Sequence, residues 1–197
     1  VITHSSGNHG QALAWAGKKQ GVEVHVVVPE DAPEIKLEAM RFYGATVHLC
    51  APGQVAREAR CSELISEHNF SFIPPYDDYS IITGQSTMMQ ECIEQLPEIT
   101  KAYVPVGGGG LMSGSLLAGK YLRPDLPIIG AEPKNADDAR ISLDTGIRQD
   151  QPNPNTMADG LRTALGERNF DIIRKEVKGI TTVTEEEILA AMTWIYK

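Results

Sequence analysis

Residues 103–114 have the sequence YVPVGGGGLMSG, and this stretch decides the fold. A short valine-rich segment predicts a buried strand, four glycines follow it, and the apolar spacing of residues 111–122 predicts a helix. Because glycine has no Cβ, the backbone N–H groups of the run can turn towards one point, where the positive end of the following helix also favours an anion. The stretch therefore predicts a phosphate-binding loop.

Other interpretations of the glycine run fit less well. A flexible linker is disfavoured because a buried strand and an amphipathic helix frame the run. A Walker loop is excluded because no Lys-Ser or Lys-Thr pair follows the glycines. A dinucleotide fingerprint stays open, since Gly108, Gly110 and Ser113 approximate G-x-G-x-x-G/A and Glu132 would then face a ribose.

Composition is typical of a globular protein. The chain has 197 residues, 42% of them hydrophobic and 22% charged, which suffices for one large domain or two small ones. A formal charge of -8, without basic runs that alternate with aromatics, argues against a nucleic-acid partner. No segment approaches 18 consecutive apolar residues, which argues against a membrane partner. Three cysteines without metal-type spacing favour reduced thiols and a cytoplasmic location.

Strands and helices alternate along the chain, and this predicts parallel sheets with right-handed crossovers. The predicted strands are residues 1–4, 23–29, 46–49, 71–73, 102–106, 128–132 and 180–183. The predicted helices are residues 11–19, 33–43, 54–68, 82–95, 111–122, 136–144 and 170–176, with a last one capped by Thr184 and Glu187. Paired prolines at 74–75 predict a boundary between a small α/β domain, residues 1–76, and part of a larger one, residues 77–197. Because the chain opens without a methionine and stops within a predicted helix, we expect an internal fragment of a longer protein.

A second loop of interest, SSGNHG at residues 5–10, follows the first predicted strand and opens a helix. Open α/β sheets bind ligands at this position. The two hydroxyls, the Asn8 amide and the free N–H groups of the helix suit a carboxylate. The alternative is local: Ser5 or Ser6 is a helix N-cap and Asn8 a turn residue.

The two loops together, SSGNHGQA at 5–12 and PVGGGGL at 105–111, resemble the pyridoxal-phosphate enzymes of the tryptophan-synthase-β fold. Within that family the chain is most similar to the serine racemases and serine/threonine dehydratases. The other matching segments are Pro29, YGA at 43–45, TGQ at 83–85, AEPKNADD at 131–138, ADG at 158–160 and TVT at 182–184. The resemblance implies an α/β fold of two open twisted parallel-sheet domains, a homodimer, and a small amino acid such as serine or threonine as substrate.

The resemblance also implies roles for particular residues. Gly107, Gly108, Gly109 and Gly110 hold the phosphate of pyridoxal 5'-phosphate, and Gly160 belongs to the same cofactor-binding set. Asn8 bonds the 3' oxygen of the pyridine ring. Ser5, Asn8 and His9 bind the substrate carboxylate, with Arg57 as a further contact; alternatively, Arg57 is a solvated helix residue.

Ser6 is the implied catalytic hydroxyl on one face of the substrate Cα. A Schiff-base lysine would act on the other face, but its Ser-Phe-Lys-type motif is expected upstream of Val1, so the fragment alone should be inactive. Because relatives devoted to threonine deamination commonly carry alanine at this position, Ser6 favours a racemase with dehydratase activity. A dedicated threonine/serine or hydroxyaspartate dehydratase is the alternative, and a non-catalytic phosphate- or nucleotide-binding domain is the alternative of another class.

Two further sites follow from the resemblance. Glu132, the backbone of Ala136 and Asp138 would supply oxygen ligands to Mg²⁺, Ca²⁺ or Mn²⁺, in place of a merely solvated acidic turn. Gln11, Lys36 and Tyr43 match positions that bind ATP in serine racemases of this type. The alternative is that Gln11 and Lys36 are exposed and that Tyr43 only packs.

Overall fold

The computed structural model describes residues 1–151 and 153–196. These residues cluster into two compact units that separate between Pro75 and Tyr76, each built on a three-stranded parallel sheet. The predicted class, α/β with parallel sheets, is confirmed. The division into domains at residues 76 and 77 stays a prediction. No helix in the described ranges is both long and apolar enough to cross a membrane.

The first unit has its middle strand buried on both faces. Its strands are β1 (Ile2–His4), β2 (His25–Pro29) and β3 (Thr46–Cys50), hydrogen-bonded in that order. Its helices are α1 (Asn8–Gln20), α2 (Glu34–Phe42) and α3 (Gln54–His68). Alternate residues of β2 point to opposite faces, so Val26 and Val28 join the core under α1 and α2 while Val27 packs with Cys61 and Leu64 of α3.

One predicted strand of this unit is wrong. Residues 71–73 form only a single bridge, Ile2 to Phe72, with hydrogen bonds from Ile2 N to Ser71 O and from Ile73 N to Ile2 O. Pro74 follows at once and has no N–H to extend the ladder. The sheet therefore stops at three strands.

The second unit repeats the pattern on a longer chain. Its strands are β4 (Ala102–Pro105), β5 (Ile128–Pro133) and β6 (Ile180–Val183), with β5 in the middle. Its helices are α4 (Tyr79–Gln95), α5 (Gly110–Leu122), α6 (Asp138–Thr145), α7 (Glu167–Glu176) and α8 (Glu185–Ile195), with a short 3-10 helix at Asp159–Leu161.

Helix ends in this unit show which caps are local. The predicted capping box of α8 is confirmed: Thr184 Oγ1 accepts from Glu187 N, and the Glu187 carboxylate accepts from Thr184 N. Helix α4 begins three residues earlier than predicted because the Asp78 carboxylate caps it through Ser80 N. Helix α7 also begins three residues early, at Glu167, and its cap comes from a distant residue described below.

Candidate active-site loops

The glycine run lies where β4 ends and α5 begins. Residues 107–110 are all buried, and Gly109 is the N-cap of α5 with φ of 91°, in the left-handed region. The first bond of the helix runs from Ser113 N to Gly109 O at 2.8 Å. The N–H groups before Ser113 therefore have no acceptor within the helix, and they lie at its positive end.

Packing also requires glycine here. A Cβ at Gly109 would lie 2.6 Å from Leu165 Cδ1 and 2.8 Å from the Cβ of Asn169. A Cβ at Gly108 would overlap the ring of Tyr76. The loop consequently presents backbone alone, which suits a phosphate.

Gly160 lies beside this loop. A Cβ at Gly107 would be 3.3 Å from Gly160 O and 3.1 Å from Leu161 Cα, because the 3-10 helix packs against the first glycine. Gly160 itself is exposed. Within the second unit, the structure thus brings the four glycines predicted to hold the cofactor phosphate next to Gly160, which was predicted to bind the cofactor.

Sequence reasoning missed the residues that support the loop. Asn169 Nδ2 donates to Gly108 O at 2.9 Å, and Gly166 N donates to the same oxygen at 3.1 Å. Asp77 accepts hydrogen bonds from the first turn of α7. The Asp77-Asp78 pair after the prolines was the available signal, since each aspartate caps a different helix.

In the first unit, residues 5–10 connect β1 to α1. Neither serine caps the helix: the N-cap is Gly7, which has no side chain, and Ser5 Oγ accepts from Gly7 N at 3.2 Å. The local alternative for these serines is therefore wrong. Within the described residues the partly buried Ser6 hydroxyl has no hydrogen-bond partner, and Asn8 is exposed at the first position of α1.

His9 is held as a neutral imidazole. Burial lowers its pKa to about 4, against a hydrogen bond to the Ile73 backbone that favours the charged form. Its Nε2 is buried and has no partner in the described ranges, so Nδ1 carries the proton and donates to Ile73. Nε2 is left as an acceptor, and only the backbone N–H of His9, in the first turn of α1, can donate to an anion.

Arg57 is buried, with 9% of its surface exposed. It forms no ion pair with any described residue, and its Nε has no hydrogen-bond partner there. The pKa of His4 is lowered, first by burial and then by the charge of Arg57, so this guanidinium lies near the carboxyl end of β1. The interpretation of Arg57 as a solvated helix residue is wrong.

The predicted metal ligands come together at the end of β5. Glu132 and Asp138 are 1% and 2% exposed, and Ala136 is buried between them in sequence. Glu132 accepts from Ala139 N and Arg140 N, and Asp138 Oδ2 accepts from Leu165 N at 2.8 Å. Burial raises the pKa of Glu132 to about 8 and that of Asp138 to about 6.

This geometry separates the alternatives for the acidic turn. A solvated turn is wrong, because both carboxylates are buried. A ribose contact is also wrong, because Glu132 is 1% exposed and its carboxylate offers no surface that a ribose could reach. Two buried carboxylates suit a divalent cation, although residues 1–151 and 153–196 contain no group of three or more His, Cys, Asp or Glu side chains placed to bind one. A cation here would need backbone and water oxygens as well.

The residues predicted to bind a nucleotide lie on α1 and α2. Gln11 and Lys36 are both partly buried, and the Lys36 ammonium lies 3.4 Å from where a Cβ at Gly7 would be. Tyr43 packs against the core that contains Leu37. Their interpretation as exposed helix residues is therefore wrong for Gln11 and Lys36, whereas packing accounts for Tyr43.

Comparison with known proteins gives consistent matches. The family model described as pyridoxal-phosphate dependent enzyme matches residues 1–197. A serine racemase of Dictyostelium discoideum is 46% identical over all of this chain and 61% of its own length. The L-threo-3-hydroxyaspartate ammonia-lyase of Saccharomyces cerevisiae is 41% identical over 99% of this chain and 60% of its own.

The fold comparison agrees. The structure of maize serine racemase superposes with a TM-score of 0.96 and 38% identity, over 100% of this chain and 60% of that one. The chain thus spans about three fifths of the length of the curated relatives it matches. With a loop that leaves no room for a Cβ at Gly108 or Gly109, at the positive end of α5, and a family match along its whole length, the chain belongs to the pyridoxal-phosphate dependent enzymes.

Proposed function

We propose that the full-length protein is a serine racemase that also eliminates water from serine or threonine, yielding a keto acid and ammonia. The observation that carries this proposal is Ser6, whose hydroxyl lies at the start of α1 and is not used to cap the helix. A hydroxyl that is not used as a helix cap can exchange a proton with a substrate. The 46% identity to a serine racemase supports the same assignment.

Racemisation needs proton transfer on both faces of the substrate Cα. Pyridoxal phosphate, when bound, withdraws electron density from Cα and makes its proton acidic. Ser6 Oγ donates or accepts a proton on one face, and a lysine expected outside residues 1–197 acts on the other. Elimination of the hydroxyl needs one base only, so Ser6 matters less for it.

The other residues bind and orient. Gly107–Gly110 hold the cofactor phosphate through backbone groups, Gly160 contributes to the same cofactor site, and Asn8 bonds the 3' oxygen of the ring. Ser5, the N–H groups of Asn8 and His9, and the Arg57 guanidinium bind the substrate carboxylate. Arg57 supports this most directly, because a buried cation without an acidic partner is costly unless an anion joins it.

The test is Ser6→Ala in the full-length protein. We expect the rate of L-serine to D-serine conversion, measured by chiral chromatography, to fall about 100-fold or more, as for loss of a general acid–base. Keto-acid formation, measured in the same samples, should fall by less than about tenfold. Equal loss of both rates would remove Ser6 from this role.

A dedicated threonine/serine or hydroxyaspartate dehydratase is the second candidate. It is favoured by the 41% identity to a hydroxyaspartate ammonia-lyase. The two candidates differ in one measurement on the wild-type protein: a dehydratase forms keto acid without forming the opposite enantiomer of serine.

We further propose that Glu132, Asp138 and the Ala136 carbonyl bind Mg²⁺, Ca²⁺ or Mn²⁺ in a structural or activating role. The support is the pair of carboxylates held 1% and 2% exposed. We expect Mg²⁺ or Ca²⁺ to raise the Tm of the chelator-treated full-length protein by several degrees, and Glu132→Gln to abolish that shift. An equal shift in the variant would contradict the site.

ATP binding at Gln11, Lys36 and Tyr43, a homodimer and a cytoplasmic location complete the proposal. The three positions match those that bind ATP in serine racemases, the same resemblance implies the dimer, and three cysteines without metal-type spacing favour the location. Titration with ATP, followed by intrinsic fluorescence, should give a saturable change that Lys36→Ala removes. Sedimentation of the full-length protein tests the dimer.

A further inference from the structure

Helix α7 does not cap itself. Its N-cap is Gly166, which has no side chain, so the first N–H groups of the helix need acceptors from elsewhere. The Asp77 carboxylate provides them: it accepts from Glu167 N at 3.2 Å, from Arg168 N at 3.0 Å and from Asn169 N at 3.3 Å. A residue 90 positions earlier in the chain therefore fixes where α7 begins.

Gly166 is what permits this cap. A Cβ at Gly166 would lie 2.5 Å from Asp77 Cγ, closer than real Cβ contacts come. The carboxylate can therefore approach three successive N–H groups only because position 166 has no side chain. Asp77 also carries a negative charge at the positive end of the helix, which stabilises it further.

The capped first turn of α7 also holds residues 107–110, the glycine loop. Asn169 is fully buried, and its Nδ2 donates to Gly108 O at 2.9 Å, with Tyr76 O at 3.2 Å as a further acceptor. Gly166 N donates to the same Gly108 oxygen at 3.1 Å. Two donors from the start of α7 therefore fix one carbonyl of the loop.

Fixing this carbonyl also fixes the next N–H. The C=O of Gly108 and the N–H of Gly109 belong to one planar trans peptide, so they point in opposite directions. With the carbonyl directed at α7, the Gly109 N–H points away from it, and it has no acceptor among the residues described. An N–H that points away from α7 and has no acceptor is available to an anion at the N-terminus of α5.

We propose that Asp77 and Asn169, together the α7 clamp, are positioning residues that orient the Gly108–Gly109 peptide towards the phosphate of the cofactor. The proposal rests on the proposed function, in which the glycine loop binds that phosphate. Neither residue touches the reacting atoms; both act through the backbone of the loop.

The experiment compares two probes on the full-length apoenzyme, pyridoxal 5'-phosphate and pyridoxal. The dissociation constant of pyridoxal divided by that of pyridoxal 5'-phosphate measures what the phosphate contributes to binding. General destabilisation would weaken both probes together and leave the ratio unchanged. We expect Asn169→Ala to lower the ratio about tenfold, because a buried hydrogen bond to the loop is lost. Asp171→Ala, an exposed substitution on the same helix, is the matched control and should leave the ratio unchanged.

Asp77 gives an independent test if Asn169→Ala does not fold. Alanine cannot cap a helix, whereas asparagine caps as well as aspartate does. We expect Asp77→Ala to lower the ratio and Asp77→Asn to restore it. Folded clamp variants with the wild-type ratio would overturn the clamp alone. A wild-type ratio near one would overturn the phosphate assignment of the loop as well, so the two failures are distinguishable.

Discussion

Two loops of the molecule lie in the same strand–loop–helix frame but differ in the side chains they carry. Both join a parallel strand to a helix whose N-cap is glycine without a capping side chain, Gly7 for α1 and Gly109 for α5. Residues 5–10 carry hydroxyl, amide and imidazole groups, whereas residues 107–110 carry no side chain at all. In the proposed function this one frame serves two purposes: side chains for proton transfer and substrate binding, and bare backbone for binding an anion.

The difference extends to how each loop is held. The glycine loop is fixed from outside, by Gly166 N and Asn169 acting on one carbonyl. Residues 5–10, the serine loop, are fixed partly from within, by Ser5 Oγ accepting from Gly7 N, and partly by Ser5 N donating to Val27 O. Substitutions in residues 107–110 should therefore weaken binding of the cofactor phosphate, and those at Ser5, Ser6 and Arg57 should affect substrate binding and proton transfer.

The largest effect that would test this comparison is expected for Gly109→Asp in the full-length protein. The substitution forces a side chain into a left-handed position already crowded by Leu165 and Asn169, and it sets a carboxylate against the phosphate. We expect the absorbance of bound pyridoxal phosphate to disappear. Unchanged absorbance would refute the cofactor assignment.

A matched control separates the local effect from backbone strain. Gly146 also has a positive φ, 74°, but a Cβ there would meet nothing within 4 Å. Gly146→Asp should therefore lower stability slightly and leave cofactor absorbance intact. Equal loss in both variants would mean that strain alone, and not the phosphate, explains the first result.

The next effect concerns the charge near the serine loop. We expect Arg57→Met to raise KM for L-serine about 100-fold while the dissociation constant of the cofactor stays unchanged, because a charge-assisted contact to the substrate carboxylate is lost. Arg60→Met, a substitution of a partly exposed arginine one turn along the same helix, is the control. A change in cofactor affinity without a change in KM would reverse the roles assigned to the two loops.

Sequence alone predicted what depends on neighbouring residues. The two strand–loop–helix frames, the parallel sheets, α3 and β6 with their observed bounds, and the Thr184 capping box are all encoded within a few positions. The early start of α1, at Asn8, was missed because a glycine-flanked segment gives little helical signal.

Contacts between distant residues were not predictable. The cap that Asp77 provides for α7 spans about 90 residues, and the hydrogen bond from Asn169 to Gly108 spans 61. The burial of Arg57 depends on how α3 packs on its sheet, which its exposed neighbours in sequence do not reveal. The candidate site was thus predictable in its loops and not in their supports.

The last effect concerns stability, and the one titratable side chain within residues 5–10, since residues 107–110 have none. The pKa of His9 is about 4 in the folded protein against 6.5 for an ordinary histidine. Below pH 6.5 the unfolded state binds a proton that the folded state does not, so stability is present above that pH and is lost as the pH falls towards 4. At 1.36 kcal/mol per pH unit, the full loss approaches 3 kcal/mol, roughly.

His9→Gln should flatten the fall of the denaturation midpoint between pH 7 and pH 4.5, whereas His68→Gln, an exposed control, should not. Identical pH profiles for wild type and His9→Gln would show that the serine loop, like the glycine loop, carries no proton-linked stability.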